Sequence, residues 1–321
     1  MKVVVDEHIP FIKGLVETLA DEVVYRPGVS INADTVKDAD ALIVRTRTRC
    51  DANLLDGSKV RQIITATIGY DHIDTSYCDA HHITWTNCPG CNAGSVATYL
   101  RNTLQFLTER TEQEIHCVGV IGKGHVGSLV AEQAELLGLR VLCYDPFVLS
   151  GVLLQPLLDE ADVLTFHVPL SRDGDYPTFH MANKKFFDAL KRSPIIINTS
   201  RGGVVDEQAL LQAMDEGKVR GCVIDTWENE PQIDRELLRR ALIATPHIAG
   251  YSVNGKLNAT HMSLQALAKH WSKSALYGRF EEPADAELLT VDTLMSDSDK
   301  LKSSPEMFED FRSHYPRRKE K

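Results

Sequence analysis

The stretch at residues 118–127 has the residue types and spacing of a turn that binds a dinucleotide. It reads V-G-V-I-G-K-G-H-V-G, an apolar run that leads into G-x-G-x-x-G at Gly122, Gly124 and Gly127. In this motif the first glycine makes a tight turn, the second lets a pyrophosphate approach the backbone, and the third lets helix and strand pack closely. Because a helix that begins here offers free N–H groups and a positive dipole end, we expect phosphate contacts that include His125 and Val126.

An acidic residue follows at the distance expected for a ribose-binding group. The next strand-like run, residues 140–144, ends at Asp145, which lies 18 residues after Gly127. A carboxylate in this position binds the ribose hydroxyls and repels a 2′-phosphate, so the sequence favours NAD over NADP. The alternative is a glycine-rich turn without a ligand, followed by a surface aspartate.

Three further apolar runs lead into polar groups. I-I-I-N-T-S-R-G-G contains Arg201, V-I-D-T-W-E-N-E-P contains Glu230, and A-T-P-H-I-A-G-Y contains His247. If these runs are parallel strands of one open sheet, their carboxyl ends lie at the edge where ligands bind. Taken singly, each has a plainer explanation: an arginine paired with a surface acid, an acidic loop, or a histidine satisfied at a strand end.

The elements that would position these residues alternate between short β-branched runs and helical patterns, which is typical of parallel sheets covered by helices. A first series of strands is predicted at residues 3–5, 41–44, 63–65 and 84–86. A second series is predicted at residues 117–121, 140–144, 163–166, 195–198, 222–225 and 242–244. Helices are predicted at residues 12–19, 92–110, 126–137 and 254–277.

The predicted fold class is α/β, with two Rossmann-like doubly wound parallel-sheet domains, a cleft between them and a short C-terminal segment. The predicted domains are a substrate-binding domain at 1–92, an NAD-binding domain at 93–253, a returning helix at 254–280 and a C-terminal segment at 281–321. Ten acids against two lysines within residues 281–310 favour a solvated, partly disordered tail for that segment. The alternative is a small docking or oligomerisation segment that uses its apolar residues Leu288, Leu289, Leu294, Met307, Phe308 and Phe311.

Over about residues 1–280 the chain resembles the D-isomer-specific 2-hydroxyacid dehydrogenases, which have the glycine motif, then N-x-S-R-G, a glutamate before proline, and T-P-H in this order. The resemblance implies that Arg201, Glu230 and His247 are catalytic. His247 would be the general base, since a histidine titrates near neutrality. Glu230 would hold its ring, and Arg201 would clamp the substrate carboxylate.

The resemblance also implies contacts along the cofactor and the substrate. Thr199, Ser200, Asp225 and Gly250 would lie along the nicotinamide half of NAD, although Asp225 could instead cap a strand end. Val168 stands where the family has a threonine that contacts NAD. Substrate contacts are expected from Arg45, Thr46, Thr67 and Tyr251. If residues 44–49 are extended, Arg45, Arg47 and Arg49 point to one side, where they meet the substrate phosphate or form an exposed basic edge.

Within the family, the chain is most similar to members that oxidise 4-phospho-D-erythronate to 2-oxo-3-hydroxy-4-phosphobutanoate. That reaction belongs to pyridoxal phosphate biosynthesis. The stretches that carry this likeness are residues 5–7, 39–45, 89–93, 164–170 and 245–251. The partner would then be a phosphorylated 2-hydroxy acid, and the chain a homodimer. Arg312 and Arg317 are candidates for contacting the phosphate of that substrate. The alternatives are a phosphoglycerate or glyoxylate/hydroxypyruvate enzyme, or a non-catalytic NAD-sensing protein that resembles the corepressors.

Composition excludes several other classes of protein. The 321 residues have a formal net charge of −10, which argues against a nucleic-acid partner. No apolar run approaches the roughly 20 residues of a membrane span. Seven dispersed cysteines are not typical of a disulfide framework, so we expect a reduced, cytoplasmic protein. Cys88-Pro-Gly-Cys91 offers only two ligands, and we expect no metal site.

Overall fold

The computed structural model describes residues 1–112, 114–148, 153–274 and 283–320. The chain divides into two compact units. Unit 1 comprises Met1–Asn92 and Ser252–Ala284, and unit 2 comprises Ala93–Tyr251 and Asp285–Lys321. Residues 275–282 and residue 321 lie outside the described residues. They include the end of the predicted returning helix and both ends of the predicted C-terminal segment.

Unit 1 begins with a five-stranded parallel sheet in the order β2-β1-β3-β4-β5. Its strands are β1 (Lys2–Asp6), β2 (Glu22–Arg26), β3 (Ala41–Val44), β4 (Gln62–Thr65) and β5 (Thr84–Thr86). Strands β3 and β4 are buried along their whole length, as expected of parallel strands covered on both faces. The sequence analysis missed β2, because this edge strand, E-V-V-Y-R, has charged ends and only partly buried side chains.

Three short helices connect these strands: α1 (Ala33–Val36), α2 (Ala52–Leu55) and α3 (Thr75–Ala80). Each begins after a side chain that accepts a hydrogen bond from the first turn, namely Asn32, Asp51 or Asp74. The helix predicted at residues 12–19 is wrong. Only a 3₁₀ turn forms there, at Val16–Thr18, because Gly14 has a φ of +85° and interrupts the helical path.

Unit 2 contains a six-stranded parallel sheet in the order β11-β10-β9-β8-β6-β7. Its strands are β6 (Cys117–Ile121), β7 (Arg140–Tyr144), β8 (Val163–Phe166), β9 (Ile195–Asn198), β10 (Gly221–Ile224) and β11 (Ile243–Ala244). Its helices in this region are α4 (Ala93–Glu109), α5 (His125–Leu136), α6 (Leu154–Glu160), α7 (Lys184–Asp188), α8 (Glu207–Asp215) and α9 (Arg235–Arg240).

The core of unit 2 lies on both faces of this sheet. Along β9, Ile195 and Ile197 pack into one cluster of buried side chains and Ile196 packs into the other. Five of the strands are buried along their whole length, and the edge strand β7 is partly buried and mostly apolar, which explains why the predicted strands agree closely with the observed ones. Since β7 and β8 flank β6 on opposite sides, the carboxyl end of β6 is the switch point at which open α/β sheets bind ligands. The predicted α/β class with two parallel Rossmann-like sheets is confirmed.

The chain then returns to unit 1 through α10 (Val253–His270), whose cap is the Ser252 hydroxyl. The helix was predicted to extend to residue 277. It ends seven residues earlier, since Trp271 is the cap and Ser272 has a φ of +50°, outside the helical region. Among the described residues, no helix is both long and apolar enough to span a bilayer.

The C-terminal segment folds as part of unit 2. It contains β12 (Glu287–Leu288), α11 (Val291–Ser303), α12 (Phe308–Ser313) and β13 (Arg318–Lys319), with β12 and β13 paired in parallel. Leu294, Leu301 and Phe308 are fully buried against the core. The expectation of a solvated tail is therefore wrong for residues 285–320, because these apolar residues recur every seven positions and outweigh the acidic composition of the exposed faces.

Candidate functional site

The three glycines of the 118–127 stretch have distinct structural roles at the carboxyl end of β6. Gly122 has a φ of +92°, and a Cβ there would lie 2.5 Å from the His167 carbonyl oxygen. A Cβ on Gly127 would lie 1.9 Å from the Gly122 carbonyl oxygen, whereas one on Gly124 would meet no atom within 4 Å. Gly122 and Gly127 thus allow the turn to close, and Gly124 leaves open space at the start of α5, as a pyrophosphate site requires.

This difference predicts opposite results for two valine substitutions. Gly124→Val is expected to fold, because the φ of −81° and ψ of −156° at Gly124 suit any residue, but its side chain fills the phosphate space. We expect NADH to bind at least about 30-fold more weakly, equivalent to about 2 kcal/mol. The measurement is a fluorescence titration with NADH.

Gly127→Val is the control for the glycine prediction, because its side chain would collide with the backbone of the turn. We expect it to lower the melting temperature or to prevent folding. A Gly124→Val protein that binds NADH as tightly as the unaltered chain would contradict the assignment of this space to the cofactor.

Asp145 lies beside the glycine turn, as the spacing predicts. Its Oδ2 accepts a hydrogen bond from the Lys123 N–H at 2.8 Å, and its Oδ1 accepts one from the Phe147 N–H at 2.9 Å. The carboxylate therefore joins the end of β7 to the turn after β6. Each oxygen keeps lone-pair capacity for a ribose hydroxyl.

The residues expected along the rest of NAD flank the same edge. Val168 lies next to the turn, since a Cβ on Gly122 would be 2.9 Å from its Cγ1. Thr199 is buried at the end of β9, and its Oγ1 has no hydrogen-bond partner among the described residues. Ser200 donates its hydroxyl to Asn198 Oδ1 at 2.9 Å. A buried hydroxyl without a partner fits a bound polar group, so these residues are compatible with NAD.

Asp225 organises the loop that contains His247. The carboxylate is 1% exposed; its Oδ1 accepts from the Thr245 hydroxyl and the Ile248 N–H, and its Oδ2 accepts from the Ala249 N–H. Burial raises the pKa of Asp225. These contacts favour the strand-end cap that was the alternative to a nicotinamide contact. Gly250 follows in the same loop.

His247 and Glu230 form a hydrogen-bonded pair. His247 Nδ1 lies 2.9 Å from Glu230 Oε2 and 3.1 Å from Oε1. His247 adopts a φ of +56°, a strained conformation that clusters at functional sites. Its Nε2 makes no hydrogen bond with the described residues. The ring is thus fixed through one nitrogen, and the other can exchange a proton with a ligand.

Burial alone would raise the pKa of the Glu230 carboxyl. The hydrogen bond and charge of His247, the N–H of Trp227 and the nearby Arg312 outweigh this effect, and the pKa lies below its ordinary value. Glu230 is therefore ionised at neutral pH. The arrangement suits a carboxylate that orients a histidine and does not itself transfer the proton.

Arg201 follows β9 and begins the 3₁₀ turn Gly202–Val204. Its Nη1 donates to its neighbour's carbonyl, Ser200 O, at 2.8 Å, and it makes no ion pair with the described residues. A Cβ on Gly202 would be 1.9 Å from the Trp227 carbonyl oxygen, so the Arg201 loop packs directly on the loop that leads to Glu230. An unpaired, partly buried guanidinium is suited to a carboxylate ligand.

Two acids behind these loops, the buried Glu207 and the partly buried Glu228, were not found from the sequence. The Glu228 N–H donates to Glu207 Oε1 at 2.8 Å, and the Glu207 N–H donates to Glu228 Oε1 at 3.3 Å. Glu228 Oε1 also lies 3.0 Å from His180 Nε2. Burial, with smaller contributions from neighbouring acids, raises the pKa of Glu207 to about 8. A single glutamate in the first turn of a helix resembles many surface residues, so no sequence signal marked it.

The raised pKa of Glu207 predicts that Glu207→Gln stabilises the protein in a pH-dependent manner. Between about pH 4.5 and 8 the unfolded chain releases this proton and the folded chain retains it, so the free energy of unfolding falls as pH rises. Glutamine keeps the Oε1 acceptor without ionising. We expect a gain on the order of 1–3 kcal/mol at pH 8, since one pKa unit corresponds to about 1.4 kcal/mol, and almost none at pH 5.

Urea unfolding of both proteins at pH 5, 6.5 and 8 measures this effect. Glu236→Gln is the control, because this exposed carboxylate pairs with Arg239 at the surface and should not gain stability as pH rises. A stability difference for Glu207→Gln that is the same at all three pH values would contradict the prediction.

In unit 1, Arg45 follows the end of β3, and its Nε donates to the buried carboxylate of Asp6 at 3.0 Å. Residues 44–49 are not one extended run, so the condition for placing Arg45, Arg47 and Arg49 on one side is not met. Residues 45–48 form a turn, closed by the Thr48 N–H donating to the Arg45 carbonyl, and Arg49 pairs with Asp51. The strand ends at Val44 because Thr48, and not Arg49, turns inward to bond the Gly28 carbonyl. Thr46 is exposed in this turn.

Thr67 lies in the loop after β4, within a chain of hydrogen bonds. Its hydroxyl donates to the Gly69 carbonyl at 2.9 Å and lies 2.7 Å from the Thr65 hydroxyl, which is 3.0 Å from His72 Nε2. Burial lowers the pKa of His72, which is therefore neutral. The loop is held from behind by buried groups, as a loop that presents N–H groups to a ligand must be.

Tyr251 ends the loop that contains His247, and its hydroxyl accepts a hydrogen bond from Arg312 Nε at 3.1 Å.

The Cys88 thiol is buried and contacts the carbonyls of Thr65 and Ala259. Within the part of the chain that the structure describes, no group of three His, Cys, Asp or Glu residues could hold a metal ion.

Comparisons with known proteins agree with this geometry. The family model described as the NAD binding domain of D-isomer specific 2-hydroxyacid dehydrogenases matches residues 100–249. The erythronate-4-phosphate dehydrogenase of Bacteroides thetaiotaomicron is 46% identical over 339 residues, which cover 100% of this chain and 97% of that protein. An erythronate-4-phosphate dehydrogenase of Escherichia coli is 37% identical over 349 residues, with coverage of 100% and 92%.

Solved structures have the same fold. The D-lactate dehydrogenase of Aquifex aeolicus, complexed with NAD and lactic acid, superposes with a TM-score of 0.70 at 26% identity and covers 85% of this chain and 96% of that one. The NAD-bound 3-phosphoglycerate dehydrogenase of Entamoeba histolytica gives a TM-score of 0.71 at 26% identity, with coverage of 88% and 99%. Because close relatives match the chain along its whole length, the chain belongs to the D-isomer-specific 2-hydroxyacid dehydrogenase family and is an NAD-dependent 2-hydroxyacid dehydrogenase.

Proposed function

We propose that the chain oxidises 4-phospho-D-erythronate to 2-oxo-3-hydroxy-4-phosphobutanoate with NAD, in the biosynthesis of pyridoxal phosphate. The observation that carries the proposal is the 46% identity, over the whole chain, to a relative named erythronate-4-phosphate dehydrogenase. The His247–Glu230 pair and the unpaired Arg201 support it, because a 2-hydroxy acid needs a base for its hydroxyl and a cation for its carboxylate.

In the proposed mechanism, the C2 hydroxyl loses its proton to Nε2 of His247 while the hydride leaves C2. NAD would supply the hydride acceptor, and the residues of the glycine turn and of the following strand ends would hold it. Glu230 accepts the Nδ1–H and stabilises the imidazolium that forms. In the reverse direction His247 returns the proton to the carbonyl oxygen.

Arg201 would bind the substrate carboxylate and polarise the C2 oxygen as it becomes a carbonyl. Arg45, Thr46, Thr67 and Tyr251 are proposed as further substrate contacts. Arg45 has cationic Nη groups that make no hydrogen bond with the described residues, which suits a phosphate. On the cofactor, Asp145 would bind the adenosine ribose, and Thr199 and Ser200 would lie near the nicotinamide.

The first experiment is an assay of NADH formation with 4-phospho-D-erythronate, run in parallel with a 2-oxo acid as electron acceptor. The parallel reaction detects turnover that tightly held NADH would hide. Turnover with this substrate supports the proposal. Activity only on 3-phosphoglycerate or on glyoxylate and hydroxypyruvate would retain the mechanism and replace the substrate, whereas NAD binding without turnover of any of them would favour an NAD-sensing role.

A homodimer and a cytoplasmic location also belong to the proposal. All seven cysteines are free thiols, which is compatible with a reducing compartment. Leu288 and Met307 are partly exposed on the C-terminal segment, and they are candidates for a contact between copies. Sedimentation of the purified chain tests the oligomeric state.

A further inference from the structure

The C-terminal helix α12 brings a cation to the His247–Glu230 pair. Arg312 Nη1 lies 3.6 Å from Glu230 Oε2, on the carboxylate oxygen that is 2.9 Å from His247 Nδ1. Arg312 Nε donates to the Tyr251 hydroxyl at 3.1 Å. One guanidinium thus connects the carboxylate that orients the histidine to the tyrosine that ends the histidine's loop.

The segment that carries Arg312 is firmly attached to the strand that leads to His247. Ser298 of α11 accepts a hydrogen bond from the Ala244 N–H at 3.0 Å, three residues before His247, and both groups are buried. Lys302 Nζ donates to the Ala241 carbonyl at 2.6 Å. Phe308, which begins α12, is fully buried. Arg312 is therefore placed by a packed structure and not by a free terminus.

The titratable and charged groups around the pair come from several elements. Asp225 faces His247 from the end of β10, and Glu207 faces Glu230 from the start of α8. Glu309 lies 3.6 Å from Arg312 Nη1. The groups that bear on the proton of His247 are consequently Glu230, Asp225, Glu207, Glu309, Tyr251 and Arg312. Arg312 is the cation in this set that contacts Glu230 directly.

We propose that Arg312 is a positioning residue for the His247–Glu230 pair, so that residues 291–313 are part of the catalytic apparatus. The proposal rests on the roles given to His247 and Glu230 in the proposed function. Arg312 holds the Glu230 carboxylate in the orientation that the ring requires, and it offsets part of the negative charge beside the ring. Without it, Glu230 holds the proton on His247 more tightly, and fewer molecules have a histidine ready to accept the substrate proton.

The test compares three variants of the full chain: Arg312→Gln, Arg312→Lys and the control Arg239→Gln. Arg239 lies in the same unit, but it is exposed and pairs with Glu236 at the surface. The oxidation rate is measured against pH for kcat and KM, and NADH binding and the melting temperature are measured for each protein. The unaltered chain is assayed first, so that its result alone tests the substrate; if it oxidises a different 2-hydroxy acid, the variants are compared on that one.

For Arg312→Gln we expect kcat at neutral pH to fall about tenfold and the acidic limb of the profile to move up by about one pH unit, with NADH binding unchanged. Arg312→Lys should restore most of the profile, and Arg239→Gln should match the unaltered chain. The proposal is overturned if Arg312→Gln binds NADH normally, keeps the kcat and pH profile of the unaltered chain and differs only in KM. A change in KM for phosphorylated substrates alone would show instead that Arg312 contacts the substrate phosphate. An equal effect of Arg239→Gln would also overturn the proposal.

Discussion

Replacing His247 by glutamine is expected to lower the rate of 2-hydroxy acid oxidation by about 10²–10⁴-fold, the usual contribution of a general base, while NADH binds as before. The reason is geometric: Nδ1 is held by Glu230, and Nε2 is the nitrogen available to a substrate hydroxyl. Glutamine keeps a hydrogen-bonding side chain of similar size but cannot accept and release the proton. Steady-state rates at saturating substrate measure the loss of turnover, and a fluorescence titration with NADH measures cofactor binding.

A second histidine of the chain provides a matched control. His180 also has a positive φ, +50° against +56° for His247, and its Nε2 lies 3.0 Å from the carboxylate of Glu228. His180 has no role in the proposed proton transfer, so His180→Gln should lose less than about tenfold in rate, which is below the contribution of a general base. Equal losses in the two variants would indicate that the histidine–carboxylate contact matters only for folding.

The sequence was sufficient to predict the elements whose residues are buried on both faces. Runs such as I-I-I-N at β9 are apolar without a break, because helices cover the sheet from both sides. The glycine turn was equally readable, because at Gly122 and Gly127 nearby backbone atoms exclude any side chain. These positions leave a mark in the sequence because physical constraints there permit few alternatives.

Features that depend on long-range contacts were not predictable in this way. The edge strand β2 is stabilised by pairing with β1, and its own residues are only partly buried. The C-terminal segment was interpreted from its acids, whereas three of its apolar residues, Leu294, Leu301 and Phe308, are fully buried against the core. The turn after Val44 depends on the Thr48 hydroxyl reaching the Gly28 carbonyl, a contact that no local pattern indicates.

In the candidate site, too, some features could be predicted from the sequence and others depend on long-range contacts. The order of Arg201, Glu230 and His247 along the chain was visible, since each follows a strand of the parallel sheet. Their electrostatic surroundings were not, because Glu207 approaches from the start of α8 and Arg312 from α12, and no pattern in either helix indicates which strand end it faces. Strand ends can be read from the chain, but the charges that tune them depend on how the helices pack.

Replacing Arg201 by alanine is expected to lower kcat/KM for 2-hydroxy acids by about 10²–10³-fold, the effect of removing one preorganised group that stabilises developing charge. Arg201 makes no ion pair with the described residues, and Gly202 holds its loop against the Trp227 carbonyl. Its guanidinium is therefore preorganised and available for a carboxylate. The measurement is kcat/KM with saturating NAD, together with NADH affinity, which should not change.

Lysine at this position separates charge from geometry. Arg201→Lys retains the cation but cannot bind a carboxylate through two parallel N–H groups. We expect it to recover only part of the loss, mainly in KM. Arg239→Ala is the control, since this arginine is exposed and pairs with Glu236 three residues away on α9. If Arg201→Ala keeps kcat/KM within threefold of the Arg239→Ala value, the substrate carboxylate is bound elsewhere, and the Nη groups of Arg45 become the first candidates.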